Sequence, residues 1–191
     1  MKRIIILASG SGTNAENIIK YFNNHKSISV VQVLSNKKDA KVLDRAKRLK
    51  VSNLSFDKNA FVNSNEVLDI LKNNADYIIL AGFLWKIPAK IIEAFPNKII
   101  NIHPALLPKY GGKGMYGVHV HNEVVKNKEK ESGITIHYVN ENYDEGAIIF
   151  QKSVKIIPED TPNDVANKVH KLEYEYFPKI IEKVILENDK N

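Results

Sequence analysis

The fold is decided by the stretch Arg3-Ile4-Ile5-Ile6-Leu7-Ala8-Ser9-Gly10-Ser11-Gly12-Thr13-Asn14, in which an apolar run meets a glycine turn. A short, continuous run of Ile and Leu is typical of a strand that is buried on both faces. The glycines and hydroxyl side chains that follow indicate a tight turn leading into a helix. The stretch therefore predicts a strand, a turn and a helix, which is the opening unit of an α/β fold.

The same alternation continues through the first hundred residues. Further apolar runs that predict strands lie at residues 29–34, 51–56, 77–81 and 98–102, and helix-period segments lie at 14–23, 40–49, 64–73 and 89–95. This order predicts a doubly wound, mostly parallel sheet with helices on both faces and a Rossmann-like N-terminal half. Ligands of such sheets bind beyond the carboxyl ends of the strands, so the residues after each apolar run become the candidate site.

The second half has a different pattern. Residues 104–117 form a long segment rich in Gly and Pro, which is typical of a binding loop or of a disordered segment. A helix is predicted at 120–127, strands at 132–139 and 147–154, and a last helix at 162–187 that is broken or kinked at Pro178. We expect one domain over residues 1–191, with a phosphate-binding half of about 1–100 and a catalytic half of about 101–191.

Composition narrows the function classes. The chain has no cysteine, which excludes disulfides, thiolate metal sites and a Cys nucleophile. No apolar run reaches the ~20 residues that span a bilayer. The formal charge of +6 favours phosphate or polycarboxylate ligands, or RNA, but the lysines are scattered and form no block. We expect a cytoplasmic protein that binds small molecules, without nucleic acid or membrane, as a monomer or weak homodimer.

The glycine loop offers a site for an anion. Gly12, Thr13 and Asn14 open the first predicted helix, whose free N–H groups attract phosphate. A dinucleotide is disfavoured because no firm acidic residue ends the second predicted strand. A simple tight turn with a hydroxyl cap remains the alternative to phosphate binding.

The segment Lys98-Ile99-Ile100-Asn101-Ile102-His103-Pro104 carries the clearest chemical signal. Period-2 alternation places Asn101 and His103 on one face of a strand, and Pro104 ends the ladder. An Asn amide can donate to a carbonyl oxygen that becomes an oxyanion, and His can protonate a leaving group. The pair suits acyl transfer, although a strand-end histidine bonded to backbone remains the alternative.

Asp144, in the turn at residues 140–146, is the candidate carboxylate that would complete the set. A carboxylate beside His103 would orient its ring and raise its pKa. Spacing alone leaves an ordinary turn aspartate as the alternative.

These residues resemble the folate-dependent formyltransferase family. The likeness rests on Asn101-Ile102-His103-Pro104-Ala105-Leu106-Leu107-Pro108-Lys109-Tyr110 and covers nearly the whole chain. Four further motifs appear in family order: Ala8-Ser9-Gly10-Ser11-Gly12-Thr13-Asn14, Leu80-Ala81-Gly82-Phe83, Ser132-Gly133-Ile134-Thr135-Ile136-His137-Tyr138-Val139 and Tyr143-Asp144-Glu145-Gly146. The glycine loop and the short chain point to the purine-pathway members.

The resemblance implies an enzyme that moves formyl from the cosubstrate 10-formyltetrahydrofolate to the amine of glycinamide ribonucleotide, with no metal. It implies that Asn101, His103 and Asp144 are catalytic. It places the ribonucleotide phosphate on Gly12, Thr13 and Asn14 and the ribose hydroxyls on Glu173. It places the folate against Leu84, Trp85, Lys86, Ile87, Asn101, Asn140 and Asp144, with Trp85 either lining the pocket or anchoring the helix that follows.

The sequence departs from the family pattern at three places. Leu84-Trp85-Lys86-Ile87 replaces a Met-Arg-Ile-Leu type segment, residues 109–117 are longer than in many relatives, and residues 63–66 lack an arginine for the folate glutamate tail. Lys113 is a candidate substitute for that arginine.

The histidines raise the question of a metal. His119 and His121, together with His103 and His137, lack a carboxylate partner at a fixed spacing, so we expect no metal site. His119 resembles a family position near the formyl group.

Three other functions remain open. They are a formyltransferase acting on methionyl-tRNA or an amino sugar, a formyltetrahydrofolate hydrolase, and a non-catalytic nucleotide-binding module. The enzyme that acts on methionyl-tRNA carries an additional carboxyl-terminal domain. The hydrolase normally carries an additional amino-terminal regulatory domain.

Overall fold

The computed structural model describes residues 1–188 and contains one seven-stranded sheet flanked by helices. The strands are β1 (Lys2–Leu7), β2 (Ile28–Ser35), β3 (Ser52–Ser55), β4 (Tyr77–Leu80), β5 (Ile99–His103), β6 (Glu131–Tyr138) and β7 (Ile148–Lys155). The helices are α1 (Thr13–Phe22), α2 (Lys41–Arg48), α3 (Glu66–Asn74), α4 (Ala89–Ala94), α5 (Val118–Lys126) and α6 (Pro162–Asn188). A π-helical turn at Asn59–Asn63 precedes α3 and has no counterpart among the predicted elements.

The sheet confirms the predicted doubly wound, mostly parallel α/β architecture. Its order is β3-β2-β1-β4-β5-β6-β7; β1 to β5 are parallel, whereas β6 and β7 are antiparallel to their neighbours. The chain turns from one side of β1 to the other between β3 and β4. The carboxyl ends of β1 and β4 therefore border the crevice where ligands of this architecture bind.

Side-chain alternation along β1 feeds two cores. Ile4 and Ile6 pack into a core covered by α1, α2, α5 and α6, whereas Ile5 and Leu7 pack into a second core covered by α3 and α4. All four side chains are fully buried. The continuous apolar run is explained by this burial on both faces, since neither side of the strand meets water.

Helix α6 continues through Pro178 and is not broken there. A proline within a helix lacks the N–H that would bond the carbonyl four residues earlier, which is that of Tyr174. The side chain of Asn17, on α1, donates to this carbonyl with an Nδ2 to O distance of 2.9 Å. A contact from another helix thus replaces the missing bond and ties α1 to α6.

Within residues 1–188, no helix is both long and apolar enough to cross a membrane.

Candidate active site

Asn101 and His103 lie on strand β5, at the carboxyl edge of the sheet. The strand lies between parallel β4 and antiparallel β6, and its register pairs Asn101 with His137 and His103 with Thr135. Residues two apart on a strand share a face, so the two side chains point the same way. His103 is 3% exposed and Asn101 is half-buried.

Asp144 reaches these residues from the loop between β6 and β7. Its Oδ2 lies 3.5 Å from Nδ1 of His103, and its Oδ1 lies 3.6 Å from Nε2 of His137. The amide N–H of Gly112 donates to Oδ2 at 2.9 Å. The side chain of Asp144 is 11% exposed, so the carboxylate is held in a largely dry position beside the histidine.

The shape of that loop requires Gly146. A Cβ atom at this position would lie 1.7 Å from the carbonyl oxygen of Tyr138, at the end of β6. Only a residue without a side chain allows the loop to pass so close to the strand. The glycine therefore helps to set the return path of the chain that carries Asp144.

The orientation of the His103 ring is fixed by a backbone carbonyl. Nε2 of His103 lies 2.7 Å from the carbonyl oxygen of Tyr110. A carbonyl can only accept, so Nε2 carries a proton and donates. Nδ1 is the nitrogen that faces Asp144 and is the one available for proton transfer.

Hydrogen bonds from side chains of β6 and β7 hold the segment between His103 and Tyr110 in place. The hydroxyl of Thr135 accepts the N–H of Leu107 at 3.0 Å and donates to the carbonyl of Ala105 at 2.7 Å. The side-chain amide of Gln151 donates to the carbonyl of Leu107 at 3.0 Å. Strands β6 and β7 thus support the loop whose carbonyl orients the catalytic candidate.

As expected, the Asp144 carboxylate acts to raise the pKa of His103, but the net pKa of His103 is nevertheless lowered. Burial lowers the pKa of His103 and outweighs the opposing effect of the Asp144 carboxylate and of the bond to Tyr110. A motif shows the partner but not the depth of burial, which penalises the charged ring. This lowered pKa favours the neutral form of His103 at neutral pH.

The pKa of Asp144 is also lowered, which for a carboxyl group favours the charged form. Burial raises the pKa of Asp144, but the neighbouring His137 and His103 side chains and the Gly112 N–H together bring this pKa below its ordinary value. The carboxyl group is ionised at neutral pH and can stabilise an imidazolium next to it.

His137 is a site residue that sequence reasoning considered only as a metal ligand. Its Nδ1 donates to the carbonyl of Tyr138 at 2.8 Å, which leaves Nε2 of the neutral ring as an acceptor. Nδ2 of Asn101 lies 3.0 Å from this Nε2. The contact turns the NH₂ end of Asn101 toward His137 and leaves its second hydrogen free. The signal available in the sequence was the alternation that places His137 on the inner face of β6.

The structure brings Asn14 and Glu173 together although they lie on α1 and α6. Nδ2 of Asn14 and Nδ1 of His170 contact the same oxygen of Glu173, at 2.9 and 2.8 Å. Glu173 is 5% exposed, and its hydrogen bond and charge raise the pKa of His170. His170 was not predicted, because only the packing of α6 on α1 shows that it lies here.

Two polar atoms near this cluster have no partner in the described part of the chain. They are Oδ1 of Asn14 and Nδ1 of His121, both fully buried. The ring of His121 lies 6.4 Å from that of His170, and burial lowers the pKa of His121 to about 4. Buried groups without partners are rare in proteins and mark this cluster as a place for a polar ligand.

Gly12 has a packing role of its own. It caps α1 with φ of 74°, a left-handed conformation, and an added Cβ would lie 2.4 Å from Cγ2 of Val42 on α2. The amides of Thr13 and Asn14 have no acceptor within residues 1–188 and remain available at the N-terminus of α1.

The residues expected to line a folate pocket have different surroundings. Leu84 is 39% exposed and its N–H donates to Oγ of Ser9 at 2.9 Å, whereas Ile87 is 5% exposed within the second core. Trp85 is half-buried and lies 6.0 to 6.4 Å, between ring centroids, from Phe56, Phe61 and Phe83. Trp85 therefore contacts the aromatic core that precedes α4.

The remaining candidates lie on the surface. Lys86, Lys113, His119 and Asn140 are exposed, and the His119 ring contacts that of Tyr116 edge-on at 5.3 Å. Within residues 1–188, no group of three or more His, Asp or Glu side chains is arranged to hold a metal ion.

The known proteins that this chain resembles are formyltransferases. A family model described as formyl transferase matches residues 2–181. The chain is 37% identical over 187 residues to the chloroplastic phosphoribosylglycinamide formyltransferase of Arabidopsis thaliana, covering 94% of this chain and 64% of the relative. It is 36% identical to the phosphoribosylglycinamide formyltransferase of Haemophilus influenzae, covering 95% and 86% of the two chains.

Solved structures agree with the sequence comparison. The phosphoribosylglycinamide formyltransferase of Bacillus halodurans superposes with a TM-score of 0.86 at 34% identity, covering 96% of this chain and 95% of that one. The range matched by the family model, residues 2–181, includes Asn101, His103 and Asp144. The chain therefore belongs to the formyl transferase family.

Proposed function

We propose that this protein transfers the formyl group of 10-formyltetrahydrofolate to the amine of glycinamide ribonucleotide, a step of purine biosynthesis. The products are N-formylglycinamide ribonucleotide and tetrahydrofolate. The observation that carries the proposal is the meeting of Asn101, His103 and Asp144 at the carboxyl edge of the sheet, with 3.5 Å between His103 and Asp144. The names of the relatives support this reaction among those that the family performs.

The reaction begins when the neutral amine attacks the formyl carbon. A tetrahedral intermediate forms, and its oxygen becomes negatively charged. Asn101 donates the amide hydrogen that is not directed at His137 to this oxygen. A donor that is already oriented stabilises the charge without reorganisation, and the loss of one such donor costs about 10²–10³ in rate.

His103 moves the proton. The amine loses one proton, which Nδ1 of neutral His103 takes up directly or through Asp144. The ionised Asp144 stabilises the resulting imidazolium, and Nε2 keeps its bond to Tyr110 throughout. Nδ1 then returns the proton to N10 of the folate as the bond between carbon and N10 breaks. One proton leaves the amine and one reaches N10, so the transfer balances.

The ribonucleotide occupies the α1 side of the crevice. Its phosphate accepts from the free amides of Thr13 and Asn14 next to Gly12, and its ribose hydroxyls donate to Glu173. The folate lies between Leu84–Ile87 and the loop of Asn140 and Asp144.

We assign polarisation of the formyl carbonyl to hydrogen bonds, so the proposal includes no metal. We further propose a single domain that acts in the cytoplasm on small molecules, as a monomer or weak homodimer, without nucleic acid or membrane. The seven described strands form one sheet, which supports the single domain.

The proposal is tested by formyl transfer itself. Purified protein is mixed with 10-formyltetrahydrofolate and glycinamide ribonucleotide, and the absorbance change of the folate is followed. Parallel samples omit the amine or replace the ribonucleotide with an amino-sugar nucleotide. Turnover only with glycinamide ribonucleotide is expected. Turnover without an amine would indicate a hydrolase. Turnover only with the sugar nucleotide would show that the acceptor is an amino sugar. No turnover in any sample would contradict an enzymatic function.

A further inference from the structure

An open cavity of about 570 Å³ lies on the β2 side of the glycine loop. Residues 9–11 of the loop after β1 form one wall, and residues 37–41 of the segment after β2 form the other. Both walls follow the carboxyl ends of adjacent parallel strands, the edge at which ligands of doubly wound sheets bind. None of the residues assigned above to phosphate, ribose, folate or catalysis belongs to its lining.

The cavity is strongly basic. Its lining includes Lys37, Lys38 and Lys41, and the only acidic residue among the lining residues is Asp39. All three lysines are exposed, and within residues 1–188 none of them has an ion-pair partner. Three ammonium groups around one concave surface repel one another, and an anion placed between them would relieve that repulsion.

The backbone of the loop adds donors to this charge. The amides of Gly10 and Ser11 donate to no acceptor in the described residues. Successive free N–H groups in a turn form concave sites for anions. Phosphate and carboxylate groups both suit lysine ammonium groups, which act as compact point charges.

The position of the cavity connects it with both proposed substrates. Ser11 adjoins Gly12, where the ribonucleotide phosphate is proposed to bind. On the other side, Ser9 donates its N–H to the carbonyl of Gly82 at 3.0 Å and its Oγ accepts the N–H of Leu84 at 2.9 Å. The wall of the cavity is therefore bonded directly to the segment proposed to hold the folate.

We propose that this lysine cavity, formed by residues 9–11 and 37–41, is an anion-binding subsite for the anionic end of one of the two substrates. The inference rests on the proposed function, because that function supplies the ligand chemistry. The ribonucleotide ends in a phosphate monoester and the folate ends in glutamyl carboxylates. Both are flexible, multiply charged ends that a basic cavity beside the crevice can capture.

The chain offers a matched control. A second open cavity, of about 520 Å³, is lined by Lys128, Lys130 and Lys155 together with Glu129 and Glu131. It lies at β6 and β7, three to five strand positions from β1 and β2, which corresponds to roughly 14–24 Å across the sheet. Replacing its lysines removes the same charge from the protein at a place remote from the glycine loop.

The test compares the triple variant K37Q/K38Q/K41Q with the control K128Q/K130Q/K155Q and the unchanged protein. Dissociation constants are measured by calorimetry for glycinamide ribonucleotide and for mono- and triglutamyl tetrahydrofolate, at low and high salt. These measurements do not require turnover, so a failed assay of formyl transfer remains a separate result. Thermal unfolding of each variant verifies that it is folded.

At low salt, we expect the dissociation constant of one of the substrates to rise about tenfold or more in the first variant, because charge-assisted contacts are lost. The dissociation constants of the control variant should change little. The difference shrinks at high salt because the charges are screened. Weakening of the ribonucleotide identifies the phosphate as the occupant. Weakening of the triglutamyl folate beyond the monoglutamyl form identifies the carboxylates. Unchanged affinities for both substrates, or equal losses in the control, would overturn the proposal.

Discussion

The first four strands and the last three are held in different ways. Strands β1 to β4 are parallel and joined by helices, and their order follows from apolar runs and helical segments that alternate along the chain. Strands β5 to β7 are antiparallel neighbours, and the groups proposed for chemistry lie on β5 and in the loop between β6 and β7. The first region forms the scaffold and the second orients reacting groups. Changes in the scaffold should lower stability, whereas changes in the second region should lower turnover.

Among changes that leave His103 in place, the largest effect is expected at the oxyanion donor. Asn101→Ala removes the free amide hydrogen and should lower kcat about 10²–10³-fold. Steady-state kinetics provides the measurement, and the affinity for the ribonucleotide is the control, since its proposed contacts lie on α1 and α6. A variant with normal kcat would show that Asn101 does not stabilise the intermediate.

A smaller loss is expected at the residue that orients Asn101. His137→Leu removes the acceptor 3.0 Å from Nδ2 of Asn101 and lets the amide rotate. We expect kcat to fall about 10- to 100-fold, on the scale of one unsatisfied buried group. Substrate affinities should change much less than kcat. An equal loss of affinity and turnover would instead indicate a general collapse of the site.

The scaffold is tested at Gly12. Gly12→Ala should lower the free energy of unfolding by about 1–3 kcal/mol, because the residue has a left-handed φ and its Cβ would overlap Val42. Val42→Ala in the same chain should not restore stability, since Cα of Val42 would lie 2.7 Å from the new atom. Denaturant titration measures both variants. Full rescue by the second substitution would show that the clash is confined to the Val42 methyl groups.

The smallest effect is expected where α1 supports the proline of α6. Asn17→Ala removes the bond to the carbonyl of Tyr174 and should cost about 0.5–1 kcal/mol of unfolding free energy. In a Pro178→Ala background the new N–H can bond the same carbonyl, so the cost of Asn17→Ala should decrease. A double-mutant cycle measures this coupling. If the two substitutions changed the free energy of unfolding additively, the bond from Asn17 would not replace the one that Pro178 lacks.

The scaffold was predictable because its signals are local. The predicted strand at residues 77–81 differs from β4 by one residue, and the predicted helix at 89–95 differs from α4 by one. The helix α6 is a partial exception, because the contact that satisfies the carbonyl of Tyr174 comes from a different helix. The π-helical turn at Asn59–Asn63 carried no distinctive pattern and was missed.

The site was predictable only as far as its motifs extend. Alternation alone placed Asn101 and His103 on one face. Asp144 was a candidate from its place in the turn at residues 140–146, and only the resemblance to a family implied a catalytic role for it. Neither indicated that burial outweighs Asp144 in setting the pKa of His103, because burial depends on the whole fold. The roles of His137 and His170 likewise depend on the register of β6 and on the packing of α6 against α1.

The central claim is that His103, oriented by Tyr110 and facing Asp144, moves the proton during formyl transfer. It is tested most directly by measuring turnover and ribonucleotide affinity of His103→Ala beside the unchanged protein. We expect turnover to fall below detection while the dissociation constant of the ribonucleotide stays the same, since its proposed contacts lie on α1 and α6. Unchanged turnover in a folded His103→Ala variant would contradict the mechanism.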